Sequence, residues 1–306
     1  MSLKELYVRS PDFFLWRLIM PAGLRRLYKH LYRKSLNGTH VGILKTREAR
    51  CNPDARVELH TLTGHDHLYM YLTMLKSFLR FHDDIAVVAH DGDNTMTGHD
   101  KALLKRHIEG IEIIAKDTAD QAVQKALAGF PRCLNYRSRI VNAAELLDFN
   151  VLADREKLVM VNSDVLFLER PQRLIDWITS DSTDIIAVYE EKPARQKEDL
   201  AVLNVDFPAH LTIALMCSYG SLFDPVFVEE ALTKTDNDWF VGQNIYPMLV
   251  ARQRASFRFE FFERDEYQAS GSFTEGAVFR HYWSSTGLFA DTQFRDARRV
   301  IDSLPG

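Results

Sequence analysis

The chain has 306 residues, 46% of them hydrophobic and 26% charged, with a formal net charge of −4. That balance belongs to a globular protein with room for a sizeable core, and it excludes a disordered or collagen-like chain. The three cysteines, Cys51, Cys133 and Cys217, are far apart and form no CxxC pair, so neither a disulfide framework nor a structural zinc site is expected, and a reducing, cytoplasmic setting fits.

The charge is unevenly spread. Residues 1–50 hold 11 Lys/Arg against three acids, a charge of +8 that leaves −12 for the rest. There Phe13, Phe14, Leu15, Trp16, Leu18, Ile19 and Met20 precede Pro21-Ala22-Gly23. Leu24, Leu27, Tyr28, Leu31 and Tyr32 then recur at helical spacing, with Arg25, Arg26, Lys29 and Arg33 on the opposite side. The spacing predicts a basic amphipathic helix, able either to lie in the headgroup region of an anionic membrane or to pack on its own domain with its basic face in water. No stretch approaches the roughly 18 consecutive apolar residues of a spanning helix, and the amino terminus lacks the layout of a secretory signal. The basic character stops at this extension and no binding motif accompanies it, so nucleic acid is not an expected partner. The expected organisation is a basic amphipathic extension over 1–50, either peripheral on the cytoplasmic face of a membrane or packed on its domain, and one α/β domain over 51–306.

From about residue 56 short apolar runs alternate with helical stretches, the order of βαβ units. A strand is predicted over 57–62, a helix over 67–81, and a second strand over 85–89 that ends in the turn His90-Asp91-Gly92-Asp93-Asn94. A helix over 98–108 leads to a third strand over 111–115. Further helices are predicted over 138–149 and 171–178, with strands over 158–162 and 184–189.

The segment 157–171, KLVMVNSDVLFLERP, is the most informative. An apolar run stops at Asn162-Ser163-Asp164 and resumes as Val165-Leu166-Phe167-Leu168. Such a run reads as a strand buried on both faces, and its carboxyl end is where open α/β folds bind ligands. A carboxylate is costly there unless something binds it, and a metal ion, a ribose or a phosphate is the expected companion.

These residues resemble the D-x-D element of the nucleotide-sugar glycosyltransferases of the GT-A fold, which runs much like YLDSDVLFF-x-x-P where this chain reads MVNSDVLFLERP. HTLTG (60–64) is similar to the nucleotide-facing end of their first strand, AHDGDNT (89–95) to the turn after the second, FVGQNIYPMLVAR (240–252) to a late helix, and HYWSSTG (281–287) to the His-containing segment that closes the site. The resemblance implies a GT-A-like, Rossmann-like mixed sheet with flanking helices behind the amino-terminal extension. It implies a glycosyltransferase moving a sugar from a UDP- or GDP-sugar donor to a glycan or lipid-linked acceptor in cell-envelope polysaccharide synthesis. Asp164 and His281 would hold Mn²⁺ or Mg²⁺. Thr61, Thr63 and Asp91 would edge the nucleoside pocket, Asn162 would bond a ribose or water, and Arg139 would meet the diphosphate. The chemistry asks for such a cation, because the departing diphosphate carries negative charge that hard-ligated metal stabilises.

Candidate catalytic carboxylates are Asp238 and Glu191, beside Asp236 and Glu190, while a retaining enzyme would show no such base and the stereochemical outcome stays open. Trp239, Trp283 and Tyr282 are candidates to stack on acceptor sugars. The sequence departs from the pattern at Asn162, which replaces the first carboxylate, and at Glu145, which stands where a basic donor contact is expected. HLTIALMCSYGSLF (210–223) also replaces an N-S-G turn. These departures motivate a second reading, a catalytically impaired scaffold or partner protein. A nucleotidyltransferase is disfavoured because residues 60–69 are not rich in Gly and Arg. The four His-Asp dipeptides at 65, 82, 90 and 99 raise a metal phosphohydrolase, which needs such pairs to converge in a helical core, whereas His90-Asp91 follows a strand.

Overall fold

A computed structural model describes residues 38–190, 210–234, 241–253, 255–269, 274–282 and 290–306. The expected amphipathic helix, most of the 1–50 extension, and the candidates Glu191, Asp236, Asp238, Trp239 and Trp283 lie outside the described residues.

Runs rich in branched apolar residues form strands β1 (Val57–Thr63), β2 (Ala86–Asp91), β3 (Glu112–Ile114) and β4 (Lys157–Val161). They pair in parallel in the order β4-β1-β2-β3, with Leu59 of β1 opposite Val87 on one side and Val159 on the other. Both faces of β1, β2 and β4 are covered, as parallel sheets require, and Val57, Leu59, Val87, Leu158 and Val159 are each 0–1% exposed. Full burial of one such side chain contributes about 1.5–3 kcal/mol. After β4 come β5 (Val165–Phe167), β6 (Ile185–Tyr189), β7 (Leu211–Tyr219) and β8 (Phe259–Phe261), and the large sheet has the order β8-β6-β7-β4-β1-β2-β3. β7 runs antiparallel to both β4 and β6, so the sheet is mixed. Two short strands, β9 (Tyr267–Gln268) and β10 (Phe279–His281), join β5 in a second sheet, where β10 runs antiparallel to β5 with His281 opposite Val165. That register brings the late segment of the chain to Asp164.

The first crossovers are α1 (Leu68–Leu79), entered by the single turn His65–His67, and α2 (Gly98–His107). α2 starts on a capping box in which Thr97 Oγ1 accepts the Asp100 N–H at 3.2 Å and Asp100 Oδ2 accepts the Thr97 N–H at 2.8 Å. α3 (Lys116–Ala126) and α4 (Pro131–Arg139) follow. The single helix expected over 138–149 is instead the end of α4, an extended Ile140, and two single-turn helices, α5 (Ala143–Leu146) and α6 (Asp148–Val151). The break has a physical cause. The Arg137 guanidinium folds back onto Asp148, Nε to Oδ1 at 2.6 Å and Nη2 to Oδ2 at 2.7 Å, which closes the intervening turn. The chain then supplies α7 (Gln172–Thr179), α8 (Pro225–Thr233), α9 (Val241–Arg252) and α10 (Ala290–Ser303). α1 packs on β5 and α10, and α5 packs on β1 and α9. Just before the sheet, Ile43 is fully buried and Ala49–Arg50 pairs with Ile108–Glu109, so residues 43–50 pack onto the domain. Among the described residues no helix is long and apolar enough to cross a membrane.

Candidate functional site

The carboxyl ends of β1, β2 and β4 open on one edge of the large sheet. β4 ends at Val161, and Asn162 still donates its backbone N–H to Ala214 O of β7 at 3.1 Å, after which Asn162 O accepts the Val165 N–H at 3.3 Å and turns the chain into β5. Asp164 sits on this turn with its side chain 25% exposed, and Oδ1 lies 3.1 Å from His281 Nε2. The pair is held from behind by the Tyr282 N–H, which donates to Asp164 O at 3.0 Å. Asn162 Nδ2 lies 3.4 Å from the same His281 nitrogen, and the amide turned by 180° presents Oδ1 there instead. Burial pushes the Asp164 carboxyl up, but His281, with His67 further off, outweighs it and holds the group below its usual range, ionised at neutral pH. The sequence reading expected Asp164, Asn162 and His281 at one place, and the structure brings them together.

His281 owes its position to its neighbours. Arg280 Nη1 and Tyr282 Oη both donate to Asp296 Oδ2 of α10, each at 2.6 Å, so one buried carboxylate grips the residues on either side of the histidine. Asp296 is 2% exposed.

Glu145, noted in the sequence for standing where a cation was expected, proves to be part of this site. It lies on α5, buried, and α5 is pinned by the Tyr246 hydroxyl, which donates to Glu145 O at 2.8 Å. Burial, reinforced by the charge of Asp164, pushes the Glu145 carboxyl up to about 8. At neutral pH it therefore stands beside the ionised Asp164 as a neutral acid with one O–H to donate. Its neighbour Ala144 lines a cavity of about 170 Å³ at the carboxyl end of β2, closed by His90, Gly92, Lys116, Arg137 and Val141. That is smaller than the roughly 300–1,000 Å³ of pockets for drug-sized ligands, so it suits a base or a single sugar rather than a whole nucleotide sugar.

The other expected donor contacts are placed as follows. Thr61 and Thr63 are buried on β1, opposite Ala89 and Asp91 of β2, and Thr63 Oγ1 has no hydrogen-bond partner among the described residues. Asp91 is buried and turned toward α2, with Oδ1 accepting the Met96 N–H at 3.2 Å and Oδ2 lying 3.1 Å from Lys101 Nζ. Arg139 is exposed at the end of α4, and the arginine that faces the cavity is Arg137, two residues earlier. Its guanidinium is already committed to Asp148 and, through Nη1 at 2.5 Å, to Asp120. Glu190 follows β6 on the same edge of the sheet and bonds through its backbone to His210. Tyr282 is buried with its hydroxyl on Asp296, so among the described aromatic candidates it offers no free face to a sugar. Two of the four His-Asp dipeptides meet, His65 Nδ1 lying 2.9 Å from Asp100 Oδ2, but among the described residues no three such side chains gather to hold a metal ion.

The fit of a divalent cation can be judged from the donor atoms. Two neighbouring ligands of an octahedral ion, each about 2.1 Å from it, lie about 3 Å apart, and Asp164 Oδ1 and His281 Nε2 are 3.1 Å apart. Among the described residues no group of three His, Cys, Asp or Glu side chains is placed to hold a metal ion. The pair therefore fits a cation such as Mg²⁺ or Mn²⁺ that takes one or two protein ligands and completes its shell with water and phosphate.

No protein-family model matches the sequence, and the curated proteins contain no match to it. The folded chain does match solved structures. One is the galactosyltransferase LgtC in complex with donor and acceptor sugar analogues, with a TM-score of 0.55 at 14% identity over 81% of this chain and 96% of that one. Another is mouse xyloside xylosyltransferase 1, with a TM-score of 0.51 at 12% identity over 76% of this chain and 99% of that one. At such identities the likeness speaks for the fold, over nearly the whole length of both enzymes. The architecture of this chain is the GT-A glycosyltransferase fold.

Proposed function

We propose that the protein is a glycosyltransferase that moves a sugar from a nucleotide-sugar donor to a glycan or lipid-linked acceptor, assisted by Mn²⁺ or Mg²⁺. The observation that carries this reading is the meeting of Asp164 and His281, far apart in the chain, at 3.1 Å on the carboxyl edge of the sheet, where the cavity at β2 also opens. Sugar transfer needs the nucleoside and the diphosphate of the donor held at one place, and each has a counterpart here. The nucleoside end of the donor has the cavity at β2. The diphosphate has the Asp164–His281 pair, which would hold the cation, and the Asn162 amide beside it. A cation bound there supplies positive charge to the diphosphate as the bond to the sugar breaks. The protonated Glu145 offers an O–H to a phosphate or sugar oxygen next to the ionised Asp164, which can only accept. The proposed extent of the transferase domain is 51–306, with Asp238 and Glu191 proposed as the acceptor-side carboxylates.

Calorimetry with UDP, GDP and their sugar conjugates, with and without Mn²⁺, tests this on the wild type, Asp164→Ala and His281→Ala. The expected outcome is nucleotide binding that Mn²⁺ strengthens in the wild type and no longer strengthens in either variant. Failure of every nucleotide to bind sinks the transferase reading. Binding without any transfer or donor hydrolysis supports a scaffold instead, a reading that rests on Asn162 standing where a second carboxylate would add charge to the metal site.

A further inference from the structure

α1 buries eleven of its twelve residues, and Lys76 is the one charged residue among them. It is 1% exposed. α1 leaves the carboxyl end of β1 and ends at Leu79, shortly before β2 starts at Ala86, so Lys76 and the following Arg80 stand at the amino edge of the sheet, opposite the edge that carries Asp164. There a cleft of about 310 Å³ opens between residues 47–50, the end of α1 and the chain at Leu304. Its lining carries four cations, Arg47, Arg50, Lys76 and Arg80, against two carboxylates, Glu48 and Asp83.

Two of these cations have only neutral partners. The Lys76 ammonium donates to Arg47 O at 2.5 Å and Thr46 Oγ1 at 2.9 Å and lies 3.1 Å from His107 Nδ1. Arg80 Nη2 donates to Phe167 O at 3.1 Å and Leu168 O at 3.0 Å, and its Nη1 to Ser303 Oγ. The carboxylates that act on them, Glu48 on Lys76 and Glu169 on Arg80, form no ion pair with them among the described residues, and Glu169 is joined to Arg299 instead. Buried charge without a counter-charge is costly. Burial accordingly pushes Lys76 down to about 8 against the pull of Glu48, and lowers Arg80 from its usual value. The other two cations are exposed and have donors to spare. Arg47 commits Nε to Gly306 O at 2.6 Å and Arg50 commits Nε to Asp83 at 2.8 Å, which leaves the Nη1–Nη2 pair of each guanidinium free of printed protein bonds, the fork that takes two oxygens of one anion.

We propose that this cleft binds a phosphate group, free or carried on a lipid headgroup, at the edge of the sheet opposite the Asp164–His281 pair. Four cations against two carboxylates leave an excess of two positive charges, which a phosphate monoester of about −1.5 to −2 at neutral pH matches. The volume lies at the lower end of the roughly 300–1,000 Å³ of ligand pockets, enough for a phosphate with part of its ester. Arg47 and Arg50 supply the hydrogen bonds, while Lys76 and Arg80 supply charge from behind. Both exposed arginines belong to the basic segment 1–50, so the same stretch that is expected to attract an anionic surface runs into the cleft. The proposal does not depend on the transferase reading.

Carbon-13 spectra of Lys76 Cε in the full chain test it, titrated with pH in sodium chloride and in sodium phosphate of equal ionic strength. The midpoint, about 8 without phosphate, is expected to move up in phosphate because a bound anion favours the ammonium. In the double variant Arg47→Gln, Arg50→Gln, which alters exposed side chains only, phosphate is expected to bind about tenfold more weakly and the Lys76 midpoint to respond only at correspondingly higher phosphate. Sedimentation with phosphatidylcholine vesicles, with and without phosphatidic acid, separates the two sources. Pelleting by phosphatidic acid that falls in the double variant assigns the lipid headgroup; equal pelleting of both proteins with a phosphate-responsive Lys76 assigns a soluble phosphate. A Lys76 midpoint that phosphate does not move, with equal pelleting, makes Lys76 a clamp on residues 46–47 and overturns the proposal. An equally sensitive response in the double variant overturns it too.

Discussion

Replacing Glu145 with glutamine isolates the cost of keeping this carboxyl buried beside Asp164. The folded state raises its pKa from the ordinary 4.5 to about 8, burial being the larger cause and the Asp164 charge the second. A raised pKa means the folded chain binds the proton more tightly than the unfolded one. The stability this group contributes is complete below about pH 4.5 and is lost as the pH rises to about 8. A shift of about 3.5 units corresponds to about 5 kcal/mol over the whole window, at about 1.4 kcal/mol per unit. Glutamine has the shape of the protonated acid and does not titrate. Urea denaturation in metal-free buffer, run on wild type and Glu145→Gln at pH 5.5 and pH 8.5, cancels every other titrating group because both proteins share them. The variant is expected to gain about 3 kcal/mol on the wild type between those pH values. Parallel stability profiles for the two proteins would refute the burial of Glu145 as a raised acid in this site.

Other substitutions test other joints of the structure. Asp296→Ala removes the carboxylate that faces the buried Arg280 guanidinium and is expected to cost about 3–5 kcal/mol in urea denaturation; a loss under 1 kcal/mol would mean that α10 does not position His281. Gly110 has φ +87°, and a Cβ built on it would lie 2.6 Å from the backbone oxygen of Cys51, so Gly110→Ala is expected to lower stability by about 1–3 kcal/mol, and an unchanged denaturation midpoint would contradict that. Thr97→Ala removes one arm of the α2 capping box and is expected to cost about 1 kcal/mol, with unchanged stability counting against the cap.

Much of the fold could be read from the chain, and the failures have identifiable causes. β1, β2 and β4 announced themselves as apolar runs bounded by turn residues, and Asp164 stood out because it interrupts one. β7 did not, because all nine of its residues are buried and a continuous apolar run carries no period with which to tell strand from helix. α3 and α4 bury only Ala119 and Val123, and Cys133 and Tyr136, too few to print a helical stripe. At the site, His281 was found through the family resemblance and not through anything in its neighbours, since its place depends on the pairing of β10 with β5. Arg139 was named where Arg137 faces the cavity, because the turn back onto Asp148 is a tertiary event. The buried contacts of His60 with Glu58 and His90 were missed although a signal existed: polar residues two apart on a strand buried on both faces need partners, and each other is the nearest supply.

Asp164 and His281 are proposed to hold a divalent cation together with the diphosphate of a nucleotide. Electron paramagnetic resonance of free Mn²⁺, titrated with the protein in the presence and absence of UDP or GDP, measures it most directly. Mn²⁺ binding is expected to tighten when the nucleotide is added, and that tightening is expected to be lost in Asp164→Ala and in His281→Ala. The same Mn²⁺ affinity in all three proteins, with nucleotide and without, would contradict it.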